Sequence, residues 1–201
     1  IRRVIDMNTK ILKIVLVGLM AGLCYISFMF LQIKIPTPGG FTSFHLGNTF
    51  CVLAALLLGG LPGGIAGAIG MRIADLLDPA YVIVAPKTII LKLGIGIITG
   101  LVAHRIFHIQ HKQGKALWKA VILSATAGML FNVIGEPIFS YFYTAFILGA
   151  PDNAAKALAS WNAITTTVNA LMAIVISSIL YMAMAPRLRN NGLLKKIVPK
   201  E

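Results

Sequence analysis

The fold is decided by Ile14-Val15-Leu16-Val17-Gly18-Leu19-Met20-Ala21-Gly22-Leu23-Cys24-Tyr25-Ile26-Ser27-Phe28-Met29-Phe30-Leu31-Gln32-Ile33, 20 residues without one charged side chain. At about 1.5 Å per residue, roughly 20 apolar residues cross a hydrocarbon layer of about 30 Å. Two further uncharged runs follow, residues 35–71 and 157–186. None alternates as a barrel strand does, and backbone groups in lipid must bond within their own element, so the runs read as helices. The first is too long for a secretory signal core and has no obvious small-residue cleavage site, so it is expected to stay as a helix.

The 201-residue chain is 58% hydrophobic and only 12% charged, where a soluble domain is about a quarter charged. The expected fold class is an all-α integral membrane protein with six transmembrane helices, at residues 9–31, 46–61, 64–77, 86–104, 117–148 and 158–185. A turn at Gly59-Gly60-Leu61-Pro62-Gly63-Gly64 separates the second from the third, and Asp78-Pro79 ends the third. The fifth is expected to break near Gly135-Glu136-Pro137, because proline removes a backbone donor. The domain scheme is a tail over 1–8, a membrane domain over 9–186 and a basic tail over 187–201. The chain starts at Ile1, and residues before Met7 are left out of the functional reasoning.

Thirteen of the 18 Lys and Arg residues fall on one side of these spans: Arg2, Arg3, Lys10, Lys13, Arg105, Lys112, Lys115, Lys119, Arg187, Arg189, Lys195, Lys196 and Lys200. The opposite loops carry only Lys34 and Lys156. The positive-inside rule then places both termini in the cytoplasm, which agrees with an even number of spans. The net charge of +12 serves topology and does not point to nucleic acid.

Arg72, Lys87 and Lys92 remain, inside spans three and four. Intramembrane charge costs a few kcal/mol and marks function by default. The topology brings Arg72, Asp75, Lys92, Glu136 and Asn162 to one outer leaflet, with Lys87 at the surface. The plainer alternative is a structural network in which Arg72 pairs with Asp75 and Lys92 with Glu136. Asn132 and Glu136, four apart, share a helix face, as do Asn162, Thr166 and Asn169. Such stripes either line a pocket or bond neighbouring helices, and the deepest, Asn169, reads as structural. The outer loop over 34–45 is rich in Pro and Gly, and its Phe41 and Phe44 would either cover a ring-shaped ligand or anchor the interface. His45 and Asn48 follow at the mouth of span two.

Gly18/Gly22, Gly63/Gly67 and Gly96/Gly100 permit close helix contact, and the first pair could instead face another subunit. His104, His108 and His111, at i, i+4 and i+7, are either a metal site or, beside Arg105, Lys112 and Lys115, part of a basic interfacial segment. The second reading is preferred. Cys24 and Cys51 have no metal-site spacing and read as small packing residues. No zinc-protease, nucleophile-elbow or phosphate-loop motif occurs, so no catalytic residue, resident metal or bound cofactor is expected.

His45-Leu46-Gly47-Asn48, the apolar run to Gly59-Gly60, Gly63 through Gly70, Ala74-Asp75-Leu76, Pro86-Lys87-Thr88 and Asn132 through Pro137 together resemble the substrate-binding S component of energy-coupling factor (ECF) vitamin transporters. The resemblance covers nearly the whole membrane domain. It implies a six-helix subunit of a prokaryotic cell membrane that captures a vitamin at the outer face. It implies partners as well: a transmembrane coupling subunit and two cytoplasmic ATPases, which would use ATP and Mg. Gly18, Ala21 and Gly22 match the small-residue motif by which the family's first helix meets the coupling subunit. The His-Leu-Gly-Asn block is most similar to the branch proposed to take hydroxymethylpyrimidine or a pyridoxine-like ring. Pantothenate or another carboxylate would suit Lys92 or Arg72; a neutral ring would suit Trp161, Phe44, Asn48 and Glu136. The expected binding residues are Phe44, His45, Asn48, Asp75, Lys92, Asn132, Glu136, Trp161 and Asn162. The competing class is a stand-alone ion-coupled secondary transporter, compatible with the buried charges and the broken fifth span.

Overall fold

The computed structural model describes residues 2–198, excepting the side chains of residues 2–8 and of Lys195. The side chains of Arg2, Arg3 and Lys195, together with Lys200, therefore lie outside the described part of the basic face. The helices are α1 (Arg2–Met29), α2 (Gly47–Leu58), α3 (Gly60–Leu77), α4 (Ala85–Gly100), α5 (Gly114–Phe142), α6 (Asp152–Asn190) and the short α7 (Leu193–Ile197). The first six correspond one to one with the six predicted segments. Four meet the length and apolarity needed to cross a membrane: Thr9–Met29, Val82–Ile106, Gly114–Ile147 and Asp152–Asn190. The last three of these extend past α4, α5 and the predicted sixth segment through π-turns (Leu101–Ile106, Tyr143–Ile147) or extra helical turns.

α2 has 12 residues, about 18 Å at the helical rise, which is short for a hydrocarbon layer. It is buried on every side apart from Phe50 and packs against α1, α3, α4 and α6. A helix apolar all round belongs in the centre of a bundle, and α2 occupies that place. α3 packs on α1, α2 and α4, and α5 lies between α4 and α6.

The structure corrects three expectations. The Gly-rich turn shrinks to Gly59, whose φ of 99° is open to glycine at little cost. Gly60 through Gly64 already belong to α3, with Pro62 in the first turn, where a missing N–H breaks no bond. α5 also does not break at Gly135-Glu136-Pro137: it runs through Pro137 to Phe142, because only one helical bond is lost there while packing on α4 and α6 holds the rest. Finally, the chain is not purely α-helical. Residues 34–45 belong to an antiparallel hairpin of β1 (Gln32–Thr37) and β2 (Gly40–His45), paired from Gln32↔His45 to Thr37↔Gly40 around Pro38-Gly39. The alternation Ile33-Lys34-Ile35 was a strand signal, whereas Pro38-Gly39 is not among the Asn-, Asp- or Gly-led pairs that favour two-residue hairpin turns, so the segment reads as a loop.

Close packing follows the glycines. A Cβ on Gly63 would collide with the Ala55 backbone of α2, and one on Gly96 with the Gly64 backbone of α3. These pairs hold helices together within the bundle. Gly18 and Gly22 differ, since an added Cβ meets nothing within 4 Å at either. Ala21, expected with them at a partner interface, is buried, and its carbonyl abuts Gly70 of α3. One helical step of about 100° is enough to turn it inward.

A polar cavity as the candidate binding site

The hairpin lies over the end of the bundle where α1 and α3 finish and α2, α4 and α6 begin. Asp78, just past α3, fixes it there: its carboxylate pairs with Lys34 at 2.5 Å and accepts from Gln32 and from the Ala80 N–H. Burial tends to raise the Asp78 pKa, but the hydrogen bonds from Lys34 and Ala80, the Lys34 charge and Gln32 together bring it below the usual aspartate value. On the other side, the Asn169 amide takes the His45 N–H at 3.0 Å and donates to the Ser43 carbonyl at 2.9 Å. Asn169 thus continues the β2 backbone ladder with a side chain, the structural part expected of it, although it also faces the cavity. Thr42 and Thr165 add a hydroxyl pair at 2.6 Å.

Beneath the hairpin is a cavity of about 80 Å³. It is lined by Phe28, Phe41, Ser43, His45, Asn48, Asp75, Tyr81, Lys87, Thr88, Lys92, Asn132, Glu136, Asn162 and Thr166, with Thr42, Val84, Leu158, Thr165 and Asn169 completing the wall. Every helix from α1 to α6 contributes. His45, Asn48, Asp75, Lys92, Asn132, Glu136 and Asn162, singled out from the sequence, all reach this one space.

The pairings inside it differ from those expected. Glu136 pairs with Lys87 at 2.5 Å, not with Lys92; the predicted surface position of Lys87 is corrected to a buried one, 7% exposed. Lys87 also donates to Ser140, which accepts from the Asn162 amide, so α4, α5 and α6 are joined by one chain of polar contacts. Ser140 was missed because it lies one turn beyond Glu136 on a helix that was expected to be broken. Lys92 donates to Asn48 at 2.9 Å. Asp75 accepts from Thr88 at 2.5 Å, and among the described residues no Arg72–Asp75 ion pair forms. Arg72 does not line the cavity, and its Nη1 is buried without a hydrogen-bond partner.

Two expected aromatic contacts are corrected. Trp161 is 41% exposed on the outside of α6, one residue and about 100° away from inward-facing Asn162. Phe44 also does not line the cavity, although Phe41, Thr42, Ser43 and His45 of the same strand do. The aromatic surfaces are instead Phe28, Phe41 and Tyr81. Phe28 meets His45 edge-on with centroids 4.6 Å apart and Tyr81 at 5.8 Å. The His45 Nδ1 accepts from the Gly47 N–H at 3.2 Å, so the neutral ring carries its proton on Nε2.

One group stands apart. Asn132 is 1% exposed, its Oδ1 is buried without a partner, and its side chain makes no hydrogen bond among the described residues. A buried orphan of this kind costs about 1–3 kcal/mol. It faces the cavity beside Glu136, its i+4 neighbour, and there an incoming polar group would satisfy it.

The histidine trio does not converge. The π-turn ends at Ile106 and His108 adopts left-handed backbone at φ 46°, so the three do not share a helix face. His104 is buried against the Ala55 carbonyl at 3.2 Å. Cys24 and Cys51 are both buried and free.

Four helices long and apolar enough to cross a membrane, packed around a polar cavity, give the chain the build of a membrane protein with a polar pocket among its helices. The sequence model of the family described as "ECF-type riboflavin transporter, S component" matches residues 8–186. The chain belongs to that family, and is therefore a membrane-embedded vitamin-binding subunit of an ECF transporter. Among curated proteins, it is 28% identical over 130 residues to an uncharacterized protein of Pyrococcus woesei, covering 64% of this chain and 75% of that protein. No solved structure matches.

Proposed function

We propose that this subunit captures a neutral, single-ring heteroaromatic vitamin or precursor, of the hydroxymethylpyrimidine or pyridoxine kind, from outside the cell. The unpartnered Asn132 amide carries the reading, because a carboxamide offers both a donor and an acceptor to the nitrogen edge of such a ring. Charge and size narrow the ligand. Asp75 and Glu136 balance Lys87 and Lys92 around the cavity, so a carboxylate such as pantothenate gains no net countercharge. A volume of about 80 Å³ accommodates roughly five to eight waters at about 10–15 Å³ each, the scale of one substituted ring. Phe28, Phe41 and Tyr81 provide its apolar faces.

Helices α1 to α6, the short α2 included, traverse the membrane region in this reading, with both termini cytoplasmic and the hairpin outside, as the basic residues favour. The exposed α1 face around Gly18 and Gly22 meets a transmembrane coupling subunit, and two ATPases supply the energy with ATP and Mg.

Riboflavin is the second reading, favoured by the description of the matching family. Its three fused rings and polyol chain exceed a cavity of about 80 Å³, so its binding would need the hairpin to shift. The test is mass spectrometry of the small molecule that co-purifies with the detergent-solubilised chain, followed by calorimetric titration with hydroxymethylpyrimidine, pyridoxine, riboflavin and pantothenate. One-to-one binding of a single-ring compound is expected. Selective riboflavin or pantothenate binding overturns the substrate assignment. Uptake by the chain alone, without ATPases, would move it to the secondary-transporter class.

A further inference from the structure

The end of the bundle opposite the hairpin holds a second cavity, about 270 Å³, between the start of α5 and the end of α6. Its walls are apolar, formed by Leu117, Met182, Ala185 and Pro186, and its rim is polar, with Gln113 and Arg189. We propose that this groove binds an anionic phospholipid, with the phosphate at the Arg189 rim and the glycerol and first methylenes along the apolar wall.

Arg189 donates to the carbonyls of Gln110 at 3.2 Å and Lys112 at 3.1 Å, which fixes the guanidinium against the α4–α5 connection. Its Nε has no hydrogen-bond partner, and no carboxylate pairs with it among the described residues. The N-terminus of α5 opens onto the same rim at Gly114, without a side-chain cap from Gln113. Its first N–H groups and the positive end of the helix dipole favour an anion.

Among the described side chains, the charge around the groove has one sign. Lys112, Lys115, Lys119 and Arg187 belong to this end, whereas the four described acidic side chains, Asp75, Asp78, Glu136 and Asp152, all belong to the hairpin end. A soluble anion would gain nothing from the apolar wall. A phospholipid satisfies wall and rim together, at the level where the apolar runs of α5 and α6 meet their basic ends. The assignment rests on membrane placement and not on which vitamin is bound, so each can fail without the other.

The test uses the full chain in neutral detergent, with native mass spectrometry and thermal unfolding in the presence of phosphatidylglycerol, phosphatidylcholine or inorganic phosphate. Phosphatidylglycerol alone should be retained and raise the unfolding temperature. Arg189→Gln should weaken that retention about fivefold to tenfold, the effect of one charge at a membrane surface. Because Arg189 also clamps two carbonyls, the second variant is Gln113→Glu, an exposed position where a carboxylate suits the helix start but repels phosphate. A similar loss is expected there, with vitamin binding unchanged. Equal retention of phosphatidylcholine, the same stabilisation by inorganic phosphate, or parental retention in Gln113→Glu would each overturn the proposal.

Discussion

Replacing Lys87 with methionine leaves the Glu136 carboxylate under the hairpin without its ion-pair partner. In the parent, the two groups meet at 2.5 Å with side-chain exposures of 7% and 17%. Removing one member of a buried pair costs about 3–5 kcal/mol, since the other charge stays desolvated. The remaining exposure of Glu136, and the Ser140 hydroxyl at 3.5 Å, place the cost near the low end, about 3 kcal/mol. For a chain of this size that corresponds to a fall of about 6–12 °C in unfolding temperature. Glu136→Leu alone should cost a similar amount, by stranding the ammonium. The double variant Lys87→Met with Glu136→Leu removes both charges and should return to within about 1 kcal/mol of the parent. Thermal unfolding in detergent, followed by the fluorescence of Trp118 and Trp161, reads all four proteins. Single variants within about 2 °C of the parent would refute the reasoning, as would a double variant no more stable than either single. The same proteins also separate structure from binding: the double variant should fold yet lose vitamin affinity, and parental affinity there would confine the pair to a structural part.

Asn132→Leu removes an unsatisfied buried amide, so it should leave the unfolding temperature unchanged or raise it, while calorimetry shows vitamin affinity reduced tenfold or more; unchanged affinity would remove Asn132 from the site. Gly18→Leu and Gly22→Leu fill open space, so folding and vitamin binding should persist while co-purification with the coupling and ATPase subunits is lost. Gly96→Ala drives a methyl into the Gly64 backbone and should destabilise the chain by about 1–3 kcal/mol, seen as a lower unfolding temperature without a specific loss of affinity. Asp78 has a lowered folded-state pKa. Its stabilising effect is therefore complete above the unfolded aspartate value of about 3.9 and is lost as pH falls through the folded value. Hydrogen exchange of the hairpin should accelerate below about pH 4, and Asp78→Asn should abolish that pH step.

The sequence by itself determined the long helices, because an uncharged run that can cross lipid must bond its backbone as a helix or a closed barrel and these runs lack the barrel's alternation; the start of the run 35–71 nevertheless forms a hairpin. It also determined the end of the molecule where the polar residues gather: of Arg72, Asp75, Lys92, Glu136 and Asn162, placed at one height by folding the chain back and forth at constant rise, all but Arg72 line the cavity. The spacings that put Asn132 and Glu136 on one face survived folding for the same reason. Tertiary structure decided azimuth and partnership. Trp161 and Asn162 are adjacent in the chain and equal in height, yet one faces outward and the other the cavity, a difference set by how α6 rotates against α5 and β2. Ala21 turned inward onto Gly70 while Gly18 and Gly22 stayed open, again by rotation about one helix. Glu136 took Lys87 and left Lys92 to Asn48, because the α4–α5 register lies in contacts between distant residues and not in the spacing along either helix. The sequence read residues 34–45 as a loop; the alternation Ile33-Lys34-Ile35 hinted at a strand, but the fold supplied the pairing into a hairpin. Its place as the cover of the cavity depends on Asp78 and Asn169, which reach it from elements far away in the chain.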